Sequence, residues 1–321
     1  MLDRAERLLL LDSASLYYRA YFGVPETIAA PDGTPVNAVR GFLDMIATLV
    51  SQYRPTRLVA CWDDDWRPAW RVAAIPSYKT HRVAGEVPDA GEVPDAGQVP
   101  EETPDTLAPQ VPVIADTLAA LGIARVGALR CEADDVIGVL TTRAPAGCAV
   151  DIVTGDRDLF QLVDDARPVR VLYTSRGVRN LQAIDQSELR ARYGVSTGDG
   201  YADLAVLRGD SSDGIPGVAG IGEKTAAQLL ERFGTLAGVR AAVADPVSGL
   251  TRAQRARLEV AADYLDAAPA VVRVLREADL PEIDDTAPRG PADMERLGEL
   301  CARWGLTTSV ERVLAALSRG A

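Results

Sequence analysis

Short apolar runs that end on carboxylates recur along the chain and alternate with amphipathic segments. The runs are LLLLD at 8–12, RLVACWDD at 57–64 and CAVDIVTGDRD at 148–158. Between them, 39–53 and 113–123 carry apolar residues at i, i+3 and i+4, the spacing of a helix with one buried face. This alternation predicts an α/β fold with a central, mostly parallel sheet flanked by helices.

Acidic side chains stand where each predicted strand ends. Asp12 ends the first run, Asp63 and Asp64 end the second, and Asp156 and Asp158 follow the third. Functional groups of open parallel sheets gather beyond the carboxyl ends of the strands. We therefore expect these carboxylates to lie close together.

A second acidic group lies in CEADDVIGVL, at the predicted start of a helix. Glu132, Asp134 and Asp135 could simply complement the helix dipole, as one or two acids often do. Three adjacent carboxylates repel one another, however, and a divalent cation would reverse the sign of that interaction. Hard oxygen ligands favour Mg²⁺ or Mn²⁺ over Zn²⁺.

The chain divides into two parts by pattern. We expect an α/β core over 1–195, with an arch-like insertion at about 75–110, and a mainly helical portion over 196–321. Within the insertion, 84–101 reads AGEVPD, AGEVPD, AGQVPE, a repeat rich in Pro, Gly and acid that forms neither a regular helix nor a central strand.

Composition excludes several classes of chemistry. The single histidine, His81, and four scattered cysteines without a CxxC pair argue against zinc sites, disulfide frameworks and His-dependent nucleophiles. The longest apolar run near the N-terminus is too short for a signal peptide or a membrane span, so we expect a cytoplasmic protein. The net charge of −12 is unusual for a protein that binds DNA, unless bound cations neutralise the acidic group and basic residues collect locally.

The segment GVAGIGEKTAAQLL at 217–230 is the most informative part of the second half. Its glycines permit tight turns, and a helix that begins near Glu223 offers free amides to an anion, with Lys224 beside them. A plain loop would show the same glycines. A dinucleotide site would need a preceding strand, and DSSDGIP precedes the segment instead. A hairpin between two helices that grips a DNA phosphate backbone fits the pattern better.

Together, four segments resemble the consecutive motifs of the 5′-nuclease family, which includes the N-terminal domain of bacterial DNA polymerase I, phage 5′-nucleases and flap endonucleases. They are LLLLDSASLYYRAYFG, CEADDVIGVL, TGDRDLFQL and GDSSDGIPGVAGIGEKTAAQLL. The resemblance implies a PIN-like core with a helix-three-turn-helix at 209–234. It also implies 5′-3′ exonuclease and 5′-flap endonuclease activity on DNA, in a stand-alone form without a polymerase, for primer and flap removal in replication and repair.

Matched by position, the resemblance implies a set of metal ligands for two or more Mg²⁺ or Mn²⁺ ions. The strand-end motif of the family resembles FDxxxxxxR, and CWDDDWRPAWR at 61–71 is one residue longer, which leaves Asp63 and Asp64 as alternatives. The implied ligands are Asp12, Asp63, Glu132, Asp134, Asp135, Asp156, Asp158, Asp210 and Asp213.

The resemblance further implies DNA contacts. Arg19, Lys79 and Arg82 would draw the scissile phosphate inward at the base of the arch, and the 217–222 turn would bind K⁺ through backbone carbonyls. We expect a monomer whose partner is duplex DNA with a 5′ flap, 5′ end, gap or nick, and RNA–DNA hybrids are an open alternative. The expected DNA-binding residues are Gly217, Gly220, Gly222, Lys224, Thr225, Tyr21 and Arg71.

Four other functions are compatible with parts of this pattern. A phosphatase of the haloacid dehalogenase type needs a second Asp two residues after Asp12, where this chain has Ala14. A small-molecule nucleotidase or a PIN-type ribonuclease would not need the helix-turn-helix after residue 209. A non-catalytic DNA-binding relative is the remaining alternative, although all nine acidic positions are filled.

Overall fold

The computed structural model describes residues 6–84 and 101–320, and within them one six-stranded sheet has the order β3-β2-β1-β4-β5-β6. Strands β1 to β5 pair in parallel, and β6 is antiparallel to β5, which confirms the predicted mostly parallel sheet. The strands are β1 Arg7–Asp12, β2 Arg57–Cys61, β3 Ala124–Val126, β4 Ala149–Thr154, β5 Val169–Tyr173 and β6 Gln182–Ile184.

The leucine run of β1 explains why this strand lies at the centre of the sheet. Leu8 and Leu10 point into one hydrophobic core, while Leu9 and Leu11 point into a second core on the other face. Alternate residues of a strand face opposite sides, so a strand covered on both faces must be apolar throughout. Leu10 is paired with Val59 of β2 and Ile152 of β4, so the register joins three apolar strands.

Helices cover both faces of the sheet. One core is closed by α1, α2, α4, α12 and α13, and the other by α5 to α11. Short 3₁₀ turns occupy Thr80–Arg82, Asp158–Leu162 and Val178–Asn180. The helices are α1 Ser13–Gly23, α2 Asn37–Tyr53, α3 Ala69–Ala74, α4 Gln110–Leu121, α5 Ala133–Arg143, α6 Gln186–Tyr193, α7 Gly198–Arg208, α8 Glu223–Phe233, α9 Leu236–Ala244, α10 Arg252–Val260, α11 Ala262–Val272, α12 Met294–Trp304 and α13 Thr307–Gly320.

Several strands and helices end at other residues than the sequence pattern predicts. The second apolar run ends as a strand at Cys61, before its acidic residues, and the third ends at Thr154. The predicted helical portion ends in two separate helices, α12 and α13, because Gly305 between them adopts a left-handed conformation with φ of 66°. Most of the acidic repeat, residues 85–100, lies outside the described residues, so its predicted lack of regular structure stays a prediction.

The sheet order places a crevice between β1 and β4. The chain leaves β1 toward β2 and β3 on one side, then crosses to β4 on the other. Ligands of open α/β sheets bind at such a reversal, beyond the carboxyl ends of the strands. Asp12 ends β1, and Gly155 and Asp156 follow β4, so this crevice is the place to look for a site. Within the described ranges, no helix has the length and hydropathy to cross a membrane.

Candidate active site

An acidic cavity of about 460 Å³ opens at the carboxyl ends of β1, β2 and β4. Asp12 ends β1, Asp63 and Asp156 lie two residues beyond β2 and β4, and two more wall residues come from the start of α5. The structure therefore brings residues from four separate segments of the sequence into one cavity. The predicted ligands that line it are Asp12, Asp63, Glu132, Asp134 and Asp156.

Asp12 is nearly inaccessible and is held by two donors. Its carboxylate accepts from the backbone amide of Ser15 at 3.1 Å, which caps α1, and from the Thr154 hydroxyl at 2.6 Å. Burial raises the pKa of Asp12 to about 7, repulsion from Asp63 and Asp156 adds to the rise, and the two hydrogen bonds oppose it. The cavity therefore concentrates carboxylates that resist being charged together.

The structure distinguishes Asp63 from Asp64. Asp63 turns into the cavity and accepts from the backbone amide of Ala133 at 2.8 Å, at the start of α5. Burial raises its pKa, and the opposing charge of Lys79 lowers it. Asp64 points outward, is 42% exposed, and lies 3.7 Å from Arg125. The extra residue of the strand-end motif thus lies after the inward-facing aspartate.

Glu132 is surrounded by donors and cations. It accepts from the Tyr78 hydroxyl at 2.6 Å and from Arg71 Nη1 at 2.8 Å, and it forms an ion pair with Lys79. Burial alone would raise its pKa, but Lys79 and Arg71 hold the pKa of this carboxyl below its usual value. Glu132 is thus a ligand candidate whose charge the protein itself already balances.

A second acidic group adjoins the cavity. Asp158 and Asp213 face a small space that Glu132 and Asp134 also border. Burial raises the pKa of Asp158 well above its ordinary value, and repulsion from Asp156 and Asp213 raises it further. Asp213 pairs with Arg82 at 2.7 Å.

Asp210 lies on the outer flank of this second group. Its carboxylate accepts from the Ser212 amide at 2.8 Å and stands 3.9 Å from Arg208 Nη2. It borders an exterior notch rather than the acidic cavity.

Two predicted site residues are interior instead. Asp135 is fully buried, and its oxygens accept from Arg71 at 2.8 and 2.6 Å and from the amides of Glu132 and Leu275 at 3.1 and 2.9 Å. The Arg71 side chain is only 3% exposed, and it also donates to the carbonyl of Val271. The predicted DNA contact of Arg71 stays a prediction, and in this structure interior acceptors occupy its guanidinium. The predicted ligand role of Asp135 likewise stays a prediction, and in this structure donors already occupy its oxygens.

The predicted hairpin is a loop over 209–222 between α7 and α8. Gly217 and Gly220 adopt left-handed φ values of 68° and 76°, and a Cβ on Gly217 would lie 2.5 Å from the Arg208 carbonyl. Gly222 is extended and begins α8, so only two of the three predicted glycines need positive φ. Lys224 is exposed on the first turn of α8 and Thr225 follows it half-buried.

Two other predicted contacts lie beside the cavity rather than in its wall. Tyr21 donates to Glu26 at 3.0 Å and lies 2.7 Å from the Thr106 hydroxyl, while Tyr18 takes the place in the cavity wall. Arg19 is half-buried and its Nη2 approaches Gly155. Lys79 and Arg82 do line the cavity, together with the exposed His81.

Sequence reasoning missed the uncharged residues that orient the carboxylates. The Thr154 hydroxyl donates to Asp12, the Tyr78 hydroxyl donates to Glu132, and the Ser15 hydroxyl accepts from the Gly155 amide at 2.7 Å. Each stands within three residues of a predicted site residue, which is the one signal that could have marked them. Ser, Thr and Tyr are too common for that signal to identify them alone.

The donor set suits a hard divalent cation. Every acidic side chain in the cavity offers oxygen, and carboxylates crowded in a buried space are stabilised by a bound cation. In the part of the chain that the structure describes, no three Asp, Glu, His or Cys side chains already form a complete metal-binding arrangement. The carboxylate donors fit a divalent metal by their chemistry. In this structure Lys79 and Arg82 are paired with two of these carboxylates, Glu132 and Asp213.

Family models match almost the whole chain. The model described as "5'-3' exonuclease, N-terminal resolvase-like domain" matches residues 7–194, and "5'-3' exonuclease, C-terminal SAM fold" matches residues 196–295.

Similar proteins carry the same description. A 5′-3′ exonuclease of Streptomyces coelicolor is 62% identical over 97% of this chain and 100% of that protein. One of Mycobacterium tuberculosis is 49% identical over 97% of each. The bacteriophage T5 D15 flap endonuclease, solved as a pseudo-enzyme-product complex with DNA and metal ions, matches the fold with a TM-score of 0.63 at 14% identity, over 97% of this chain and 99% of that one. The family models and these close relatives confirm the resemblance, and the chain belongs to the 5′-3′ exonuclease family.

Proposed function

We propose that this protein is a divalent-metal-dependent nuclease that hydrolyses DNA phosphodiesters at 5′ ends and at 5′ flaps. The observation that carries the proposal is the acidic cavity at the β1/β4 crevice, with two cationic side chains in its wall. A related flap endonuclease fold has been solved with DNA and metal ions, which supports the same use of this site.

The acidic residues would hold the metal in two adjoining groups. Mg²⁺ and Mn²⁺ are the candidates, because the available donors are carboxylate oxygens. Bound cations would lower the pKa of a water molecule and neutralise the leaving oxygen. The residues proposed as holders are Asp12, Asp63, Glu132, Asp134 and Asp156 in the cavity, Asp158 and Asp213 beside it, and Asp210 on the outer flank.

Lys79 and Arg82 are proposed to orient the scissile phosphate. In the free protein each is paired with a carboxylate, Lys79 with Glu132 and Arg82 with Asp213. Cations bound among the carboxylates would weaken those pairs, so the two side chains would become available to an incoming phosphate. Their positive charge would then stabilise the charge that develops on the phosphate oxygens.

The loop before α8 is proposed to hold the duplex. Free amides at the start of α8 and the exposed Lys224 suit a phosphate backbone, which such contacts bind without regard to sequence. K⁺ binding at the 217–222 carbonyls belongs to the same proposal, although the Gly220 carbonyl accepts from Arg257 at 3.0 Å. The loop and the cavity together would place a 5′ end at a fixed distance from the gripped duplex. Asp213 lies within the loop and also borders the second acidic group, so it connects the loop to the acidic residues directly.

Cleavage of a labelled flap is the direct test. The protein is incubated with a 5′-labelled flap duplex in Mg²⁺, in Mn²⁺ and in EDTA, and we expect cleavage only with the metals. Asp156→Ala should abolish it, whereas Asp64→Ala, an exposed carboxylate beside the same site, should leave it intact. No cleavage by the wild-type protein with metal, or equal cleavage by Asp156→Ala, would overturn the proposal. An RNA–DNA hybrid of the same shape shows whether primers are also substrates.

A further inference from the structure

The last turn of α11 and the short segment after it form one wall of the second acidic group. We call residues 271–276 the strap. Val271, Val272 and Val274 border the same small space as Asp158 and Asp213. The strap lies within the helical second half of the chain, so it reaches the acidic residues from a distant part of the sequence.

One edge of the strap is fixed to the start of α5. The Leu275 amide donates to Asp135 at 2.9 Å, and Arg71 donates to the Val271 carbonyl at 3.2 Å. A Cβ on Gly138 would lie 2.3 Å from the Leu275 carbonyl, so only glycine allows α5 and the strap to approach this closely. The helix that presents Glu132 and Asp134 is thus tied to the strap.

The other edge is fixed by Gln161, which is 3% exposed. Its amide nitrogen donates to the carbonyls of Asp158 at 2.9 Å and Val272 at 3.0 Å, and its amide oxygen accepts from the Val274 amide at 3.0 Å. The Gln161 carbonyl accepts from Arg276 at 3.0 Å. One buried side chain therefore joins the segment that carries Asp158 to the strap at two points.

We propose that Gln161 is a positioning residue for the metal site. It holds the main chain of Asp158 against the strap, and the strap's bond to Asp135 holds α5, so the two carboxylate groups keep a fixed separation. Carboxylates that repel one another need such a scaffold, since residues that orient metal ligands affect metal affinity without touching the metal. This proposal rests on the proposed function.

The test substitutes Gln161 with residues of similar size. Gln161→Glu replaces the donor that serves two carbonyls with an acceptor, so the Asp158 and Val272 carbonyls lose their partner. Gln161→Met keeps the approximate volume and removes all three hydrogen bonds.

Asp203→Asn is the matched control. Asp203 is also buried and also anchors the strap, by accepting from Arg273 at 2.7 Å, and it accepts from the Leu236 amide at 2.8 Å. It has no bond to Asp158 or to α5 among the described contacts. A merely structural strap would respond to both substitutions alike.

Mn²⁺ binding is measured by calorimetry without DNA, with thermal melting in parallel. We expect Gln161→Glu and Gln161→Met to weaken Mn²⁺ binding about tenfold, as loss of a ligand-orienting partner does. Asp203→Asn should melt lower with wild-type Mn²⁺ affinity. In cleavage assays, the Gln161 variants should lose kcat, keep the KM for DNA, and recover activity as Mn²⁺ is raised. Equal Mn²⁺ affinity in all the proteins would overturn the positioning role.

The experiments distinguish failure of the proposed nuclease function from failure of the positioning role of Gln161. If the wild-type protein binds Mn²⁺ but does not cut the flap, the nuclease proposal fails while the positioning role is still decided by the binding series. If the wild-type protein binds no Mn²⁺, both proposals are overturned.

A measurement on the wild-type protein covers the case in which neither Gln161 variant folds. Mn²⁺ should slow hydrogen exchange at the Val274 and Leu275 amides about tenfold more than at the Leu236 amide, because only the first two are tied to the carboxylate groups. Equal slowing at all three amides would overturn the proposal.

Discussion

Asp134 shows the electrostatic cost of burying a single carboxylate in this site. Burial raises its pKa well above the ordinary value, and the charges of Asp12 and Asp156 raise it further. The free protein therefore keeps Asp134 at an energetic cost, and a bound cation would relieve that cost.

The first prediction follows from that cost. In EDTA, Asp134→Asn should raise the melting temperature by about 2–4 °C, the shift that roughly 1 kcal/mol produces in a large domain. Mg²⁺ should then stabilise the variant less than it stabilises the wild-type protein. Thermal melting with and without Mg²⁺ measures both effects, with the exposed Asp64→Asn as a control. A lower melting temperature for Asp134→Asn in EDTA would contradict the role assigned to repulsion.

Arg71 gives a second prediction. Removing it would leave Glu132 and Asp135 buried without their cation, and breaking a buried pair in this way costs about 3–5 kcal/mol. Urea unfolding of Arg71→Ala should show that loss, and the exposed Arg176→Ala should show none. If Arg71→Ala instead kept full stability and only raised the KM for DNA, Arg71 would be a DNA contact after all.

At the scale of elements, α8 and the loop before it are positioned for a remote contact. Lys224 is exposed on the first turn of α8, and it does not line the acidic cavity. A residue that grips the duplex away from the chemistry should affect binding more than turnover.

The third prediction is that removal of the Lys224 side chain changes the KM for DNA much more than it changes kcat. Lys224→Ala should raise the KM for flap duplex severalfold with little change in kcat, and it should reduce the salt slope of DNA binding by about one. Steady-state cleavage at several salt concentrations measures both. Arg179→Ala, an exposed cation in the Val178–Asn180 turn, is the control. An equal KM increase with a short single strand would contradict a duplex contact.

The elements that sequence predicts well are those with strong local patterns. Asp12, Asp63 and Asp156 could be placed because buried strands end beside them and parallel strands share an edge. The burial of Arg71 could not be predicted, because the inward face of a short helix such as α3 depends on what packs against it. Gln161 was missed because its partner Val274 lies 113 residues away, and no local pattern records such a distance.

At the scale of the whole molecule, the last helix packs on the half of the chain that contains the central strand. Helix α13 packs against α2, and Val310, Val313 and Leu317 are buried in the same core as Leu9 and Leu11 of β1. The last helix is thus part of the α/β core, although it is farthest in sequence from the central strand.

The fourth prediction tests that placement. A chain that ends at Leu306 would lose α13 and expose the apolar face of α2, so it should aggregate or unfold well below the melting temperature of the full chain. Circular dichroism and size-exclusion chromatography of the truncated protein measure this. A truncated chain that stays folded and monomeric would show that α13 is dispensable. Val247→Ala, which changes an exposed apolar residue, should behave like wild type.

The packing of α13 on α2 also bears on the order of events during synthesis. The central strand emerges early from the ribosome, yet the core on its Leu9 and Leu11 face is complete only when α13 has been translated. The strap beside Asp158 arrives late as well. We expect a nascent chain that still lacks α13 to bind metal poorly and to leave DNA uncut.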